Sequence, residues 1–172
     1  MSGNAFVGDQ VMLDVSFGDA RRRLRRLAAD GVLLGASEYA YGAAITGLAQ
    51  EAGPAAALSR LAGVEPGDVV ETGDRARLWL RWQAIGPDGA LFPALDADLT
   101  LIPAGDKTTV LTLAGVYRLP SQQAPSGLDR ATVRCFATVA IRSFIARLAC
   151  AFMHPAGVAL QQRRGARLGD HG

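Results

Sequence analysis

The stretch from Ser126 to Met153 constrains the fold more than any other part of the chain, because no Gly or Pro interrupts it after Leu128. Ser126 and Asp129 form a capping-box pattern at its start, and Pro155 follows its end. About 25 helical residues would span about 38 Å. A helix this long and apolar needs a large cover, so we expect it to lie across a sheet made by the preceding strands. Its apolar face, at helical spacing, comprises Val133, Phe136, Ala137, Ala140, Phe144 and Leu148.

Three strands are predicted before this helix. Apolar and polar residues alternate in Arg75–Ile85 (RARLWLRWQAI), which is typical of a half-buried strand. The runs at 95–102 (LDADLTLI) and 108–119 (TTVLTLAGVYRL) follow after short turns, so the three form an antiparallel meander. Arg81 should then lie opposite Asp96 on the solvent face. The predicted inner face comprises Leu78, Leu80, Trp82, Leu99, Leu101, Leu111, Leu113 and Tyr117.

The N-terminal third begins with a strand and a helix. Gln10–Phe17 alternates as the first strand. The next helix is expected to be capped by Asp19 and to end at Asp30, which precedes a glycine. Five arginines crowd residues 21–26. Such a run could bind nucleic acid or an anionic membrane, but no aromatic residues interleave it, and we interpret it as a solvated helix face.

Two further segments are less regular. Val32–Tyr41 is interpreted as a second short helix. Residues 43–50, rich in alanine and glycine, either continue that helix or form a strand. Leu58–Glu71 contains Gly63 and Pro66, so it is expected to be a bent or edge strand.

Composition indicates one globular domain. The 172 residues are 49% hydrophobic and 20% charged. We expect the domain to span residues 1–155 and residues 156–172 to be a flexible tail. A net charge of +2 gives no reason to expect a nucleic-acid partner. No apolar run reaches membrane-spanning length and no signal peptide is evident, so a cytoplasmic location is predicted.

The candidate metal ligands and thiols are few. Cys135 and Cys150 are fifteen residues apart on the predicted helix, about 22 Å, which is too far for a disulfide and indicates free thiols. Cys150 and His154 have the i, i+4 spacing of half a metal site, but zinc needs three or four ligands and His171 lies in the predicted tail. We therefore predict no metal and no cofactor.

No nucleophilic triad, phosphate loop or dinucleotide fingerprint occurs. Asp96 and Asp98 alternate outward from the meander. A general acid or base would have to be Tyr117, a glutamate such as Glu38 or Glu71, or an inward arginine. Spacing singles out none of them, so the catalytic residues are left unassigned.

Three pieces, LRWQAIGPDGALFPALDADLTLIPAG, LTLAGVYRLP and GLDRATVRCFATVAIRSFIARLA, resemble an uncharacterised branch of the SRPBCC superfamily. This superfamily is also called START-like or helix-grip, and includes polyketide cyclases and pollen-allergen-type lipid carriers. The resemblance implies an α+β fold, with a curved antiparallel sheet of six to seven strands wrapped around the long C-terminal helix. It also implies one or two short helices after the first strand, residues 43–50 as the second strand, and a cavity between sheet and helix. It brings no shared catalytic motif.

The first functional hypothesis is binding, and with it transport or presentation, of a small hydrophobic ligand such as a lipid, polyketide or isoprenoid. The alternatives are a cyclase/aromatase- or dehydrase-like enzyme and a protein-interaction module without ligand; we lean away from an enzyme. Trp79, outward by alternation, would suit a homodimer contact. The ligand itself and the oligomeric state are not specified by the sequence. The predicted ligand-binding residues are Leu80, Trp82, Leu99, Leu113, Tyr117, Phe136 and Phe144.

Overall fold

A computed structural model of the protein describes residues 4–52, 60–85, 94–118 and 130–154. These ranges form one five-stranded antiparallel sheet, in the order β1-β5-β4-β3-β2, and three helices. The strands are β1 (Asn4–Leu13), β2 (Arg60–Thr72), β3 (Arg75–Ile85), β4 (Ala94–Gly105) and β5 (Thr108–Arg118). The helices are α1 (Phe17–Ala29), α2 (Val32–Ala52) and α3 (Arg130–Met153). The α+β helix-grip prediction is confirmed, although the described residues form five strands rather than six or seven.

The predicted meander is confirmed. β3 has the bounds that alternation predicted. The leucines of β4 and β5 are buried, and the residues between them are half-buried or exposed, apart from the other inward-facing positions. Arg81 lies opposite Asp96 in the register of β3 and β4, with 3.4 Å between Arg81 Nε and Asp96 Oδ1. All eight residues of the predicted inner face are buried. Period-two alternation was sufficient here because one face of each strand is covered and the other is wet.

The first strand lies further toward the N-terminus than predicted. β1 pairs with β5 from Asn4 to Leu13, and Phe17 begins α1 instead of ending the strand. The N-cap is Ser16 rather than Asp19: its Oγ accepts a hydrogen bond from the Asp19 backbone N–H at 3.2 Å. The predicted helix end is confirmed, since Asp30 is the C-cap and the next residue, a glycine, has a φ of 72°.

The expectation of a strand at residues 43–50 is wrong, because α2 continues through this segment to Ala52. Its buried alanines Ala36, Ala40 and Ala44 are spaced four apart, so they form one stripe that allows close packing of another helix. The hydroxyl of Thr46 donates to the Gly42 carbonyl one turn earlier, which satisfies it within the helix. The second helix is therefore long, and it replaces the strand implied by the resemblance.

β2 is an edge strand, as its Pro and Gly content predicted. Its pairing with β3 shifts register between Leu61 and Gly63 and again between Pro66 and Val69. The second shift falls where Pro66 lacks a backbone donor, and the first lies beside Gly63. They bend this edge strand at the residues that the sequence marked.

Helix α3 packs on the sheet to form the core, and α2 packs beside it. It packs against both α2 and β1, and α1 and α2 also contact strands of the sheet, so α3 does not cover the sheet alone. Ala137, Ala140, Phe144 and Leu148 are buried, as the helical spacing predicted. The capping pattern at 126–129, the turn at 86–89 and the tail at 156–172 lie outside the described residues.

Candidate ligand-binding site

The candidate site lies on the inner face of the sheet, near the ends of β3 and β5. Leu95 of β4 pairs with Trp82 on one side and with Tyr117 on the other. Residues directly opposite in antiparallel strands share a face, so all three side chains point toward the helices. With strands about 4.8 Å apart, the Cα atoms of Trp82 and Tyr117 are separated by roughly 10 Å.

The neighbouring row of the inner face carries small residues. Ala97 of β4 pairs with Gly115 of β5 and with Leu80 of β3. A Cβ placed on Gly115 would come within 2.7 Å of the Ala97 Cβ, so the two backbones approach too closely for a second side chain. The centre of the sheet therefore presents little side-chain volume beside Trp82, Leu95 and Tyr117.

Aromatic rings from the helices cover these residues. Phe144 of α3 meets Trp82 edge to face, with ring centroids 5.2 Å apart. Phe136, two turns earlier, meets Tyr117 at 6.2 Å and Tyr41 of α2 at 5.2 Å. Such geometry stabilises aromatic pairs by about 0.5–1.5 kcal/mol beyond their burial. The rings therefore hold the sheet, α2 and α3 in contact around one apolar interior.

Two polar atoms in this interior have no hydrogen-bond partner among the residues that the structure describes. Trp82 is 2% exposed and Tyr117 is 1% exposed, and neither the indole Nε1 nor the phenol oxygen is paired. We call these two groups the donor pair. The buried hydroxyls of Ser37 and Thr109 differ, since each donates to a backbone carbonyl, those of Leu33 and Val15. Buried polar groups in folded proteins are nearly always paired, so the donor pair is unusual.

The environment keeps the Tyr117 phenol neutral. Burial raises its pKa well above the ordinary value for tyrosine, and the nearby Tyr41 phenol raises the pKa further. No charged side chain is buried within the described residues. Tyr117 is therefore a neutral hydrogen-bonding group in an uncharged, apolar setting.

The structure brings all seven predicted ligand-binding residues into this core, where each is buried. Their role in binding stays a prediction. The sequence reasoning did not assign Tyr41, Leu95 or Gly115 to the site. Alternation along β4 and β5 could have added Leu95 and Gly115, whereas Tyr41 depended on the packing of α2.

The other candidate acids and bases lie elsewhere. Glu38 is exposed on α2. Glu71 forms ion pairs with two arginines of α1, with 3.2 Å from its Oε2 to Arg21 Nη1 and 2.6 Å from its Oε1 to Arg25 Nη2. It therefore joins α1 to β2. Arg23 of the same run donates to the Phe152 carbonyl at the end of α3. These arginines of the 21–26 run therefore hold helix α1 in place. Of Tyr117, Glu38 and Glu71, Tyr117 alone is buried.

The predicted half metal site is not completed among the residues described. Cys150 lies on the last turn of α3 and His154 directly follows the helix, and both are exposed. No group of three or more His, Cys, Asp or Glu side chains suited to a metal occurs in the described ranges. Cys135 is also an exposed free thiol, and His171 lies outside the described residues.

The outer face of the sheet is charged and partly apolar. Arg77 donates two hydrogen bonds, of 2.8 and 2.6 Å, to the carboxylate of Asp98. Asp96 forms ion pairs with both Arg81 and Arg118. Beside them lies a shallow depression of about 530 Å³. Trp79 is 40% exposed on this face and packs over a glycine of β2. A homodimer through this surface stays a prediction.

One segment of α3, Arg134–Met153, is long and apolar enough to cross a membrane. Half of it is buried against the rest of the chain. That burial is what a core helix requires, and it explains the apolar composition without a bilayer.

No family model matches this sequence, and no curated protein does. Among solved structures, a START superfamily protein from Mycobacterium smegmatis aligns at 10% identity and a TM-score of 0.46, covering 90% of this chain and 100% of the other. A conserved protein from Geobacillus kaustophilus aligns at 12% identity and a TM-score of 0.45, covering 88% of this chain and 95% of the other. The Zhui aromatase/cyclase from Streptomyces sp. R1128 aligns at 11% identity and a TM-score of 0.38, covering 90% of this chain and 99% of the other.

At identities of 10–12% and TM-scores below 0.5, nothing about the chemistry of this chain is taken from these likenesses. The observed architecture is the helix-grip arrangement that the sequence resemblance implied, an antiparallel sheet with a long C-terminal helix across it. The order of elements is a first strand, two helices, an antiparallel meander and the long C-terminal helix. The long α2 is a departure within that plan.

Proposed function

We propose that the protein binds a small hydrophobic molecule in a cavity between the inner face of the sheet and helices α2 and α3. The observation that carries the proposal is the donor pair, two unpaired polar atoms inside an otherwise apolar core. Leaving a buried polar atom unpaired costs about 1–3 kcal/mol. A ligand that accepts hydrogen bonds from Trp82 and Tyr117 would remove this cost.

Most of the binding free energy would come from the apolar walls. Transfer of apolar surface from water contributes about 25 cal/mol per Å². The seven predicted residues supply leucine and aromatic surface around the donor pair. The space we propose lies over Ala97 and Gly115, the smallest residues of the inner face. The donor pair would then fix the orientation of the ligand.

The test is binding of Nile red, a neutral fluorescent dye, together with native mass spectrometry of the freshly purified protein. We expect a bound small molecule in the spectrum, and dye binding that weakens about threefold to tenfold in Trp82→Phe. Trp79→Phe is the matched control, because it removes the other tryptophan from the outer face. Absence of any bound molecule together with absence of dye binding would contradict the proposal, as would equal effects of the two variants.

A cyclase- or dehydrase-like activity is the second candidate, and Tyr117 is the observation that favours it. Its neutral, unpaired phenol could donate to a ligand carbonyl and stabilise negative charge that develops there. Proton abstraction would need a base, and no ionised side chain is buried in the described interior. We therefore place ligand binding first.

A further inference from the structure

We propose that the ligand is a neutral apolar molecule bearing carbonyl-type acceptor oxygens, and that the site rejects carboxylates. The inference rests on the proposed function and deepens it. It follows from the kind of polar group that the interior leaves unpaired and from the absence of buried charge among the described residues.

The donor pair selects an acceptor. An indole N–H can only donate a hydrogen bond, and a phenol donates through its O–H. A tyrosine phenol ionises only at about pH 10, so both groups offer a hydrogen atom at neutral pH. A carbonyl oxygen has two lone pairs and no hydrogen, so it fits either donor. A hydrocarbon would leave both donors unpaired and keep their desolvation cost.

The charge of the surroundings excludes an anion. No Lys, Arg or His side chain is buried in the described part of the chain, so a carboxylate would enter without a cationic partner. Two acids in the described strands have inner-face registers: Asp9, half-buried on edge strand β1 opposite Leu113, and Glu71 on β2 opposite Ala76. Glu71 is already paired with Arg21 and Arg25, whereas the negative charge of Asp9 would repel a carboxylate further. Two hydrogen bonds from uncharged donors do not replace the hydration of an ion.

The experiment compares three tricyclic probes of one shape by equilibrium dialysis at pH 7.5: fluorene, 9-fluorenone and fluorene-9-carboxylate. Dialysis quantifies free probe directly, so tryptophan substitutions do not disturb the readout. We expect fluorenone to bind threefold to tenfold more tightly than fluorene, although fluorene is the more hydrophobic of the two. Fluorene-9-carboxylate should bind most weakly.

Variants then assign the preference to the donor pair. Trp82→Phe and Tyr117→Phe should each reduce the preference for fluorenone over fluorene and leave fluorene binding within about twofold. Trp79→Phe and Tyr39→Phe, which change exposed residues, should leave the preference unchanged. Fluorene binding as tightly as fluorenone, or the carboxylate binding as tightly as the ketone, would overturn this inference and leave the proposed function standing. No binding of any probe, together with no co-purifying molecule, would overturn both.

Discussion

Trp82 and Tyr117 lie on opposite sides of Leu95 in the register of the sheet, and each buries a polar atom that has no hydrogen-bond partner in the described ranges. Two unpaired atoms at about 1–3 kcal/mol each are a sizeable fraction of a typical stability of about 5–15 kcal/mol. A ligand that pairs them would stabilise the folded state by mass action. Stability and binding should therefore respond in opposite directions to changes at these residues.

Tyr117→Phe should leave the ligand-free protein as stable as the parent or raise its free energy of unfolding by up to about 1 kcal/mol, since it deletes an unpaired buried hydroxyl. Urea unfolding of delipidated protein measures this change. Tyr39→Phe, at an exposed position, is the control. A loss above about 1 kcal/mol would mean that the Tyr117 hydroxyl has a structural partner.

Stability should fall at high pH because of Tyr117. In the unfolded chain its phenol ionises near the ordinary pKa of about 10, whereas burial raises the pKa in the folded protein. Above about pH 10 the unfolded state binds fewer protons than the folded state, so the free energy of unfolding decreases as pH rises toward the folded pKa. One such group contributes at most about 1.4 kcal/mol per pH unit.

Urea unfolding at pH 8 to 11 measures this dependence, and Tyr117→Phe isolates the contribution of Tyr117. The variant should lose stability less steeply than the parent over the alkaline range. Absorbance at 295 nm, compared between the parent and Tyr117→Phe, should show that the phenol of Tyr117 ionises only on unfolding. Identical slopes for the two proteins would contradict the prediction.

Gly115→Ala should destabilise the fold by about 1–3 kcal/mol through overpacking. The new Cβ would lie 2.7 Å from the Ala97 Cβ and 2.7 Å from the Asp96 carbonyl oxygen, so two strands must separate to admit it. Gly63→Ala, where a Cβ meets nothing within 4 Å, serves as the control in thermal unfolding. Equal melting temperatures for the two variants would argue against close approach of β4 and β5 at this pair.

Glu71→Gln should cost less than about 1 kcal/mol, and the cost should shrink as salt is added. Glu71 pairs with Arg21 and Arg25, but both arginine side chains are more than a third exposed, so solvent screens the attraction. Denaturant titrations at 50 mM and 500 mM NaCl compare it with Glu65→Gln on the same strand. A salt-independent loss above 2 kcal/mol would contradict this interpretation.

The meander was predictable because each of its strands has one buried and one wet face. The alternation in RARLWLRWQAI specified which side chains of β3 face inward, and the structure buries those that it describes. The pairing of Arg81 with Asp96 followed from the same pattern. The length of α2 did not follow, because Ala- and Gly-rich segments have weak periodicity and tertiary packing decides their state.

The sequence by itself determined the inner face of the sheet, the long apolar helix and the apolar character of the core between them. These features follow from local periodicity, which records whether a side chain meets water. Only the tertiary structure decided that α2 shares the cover, that Phe136 and Phe144 meet Tyr117 and Trp82, and that those two residues keep unpaired donors. Whether a buried polar atom has a hydrogen-bond partner depends on which distant segments of the chain pack against it, and residue spacing does not specify that packing.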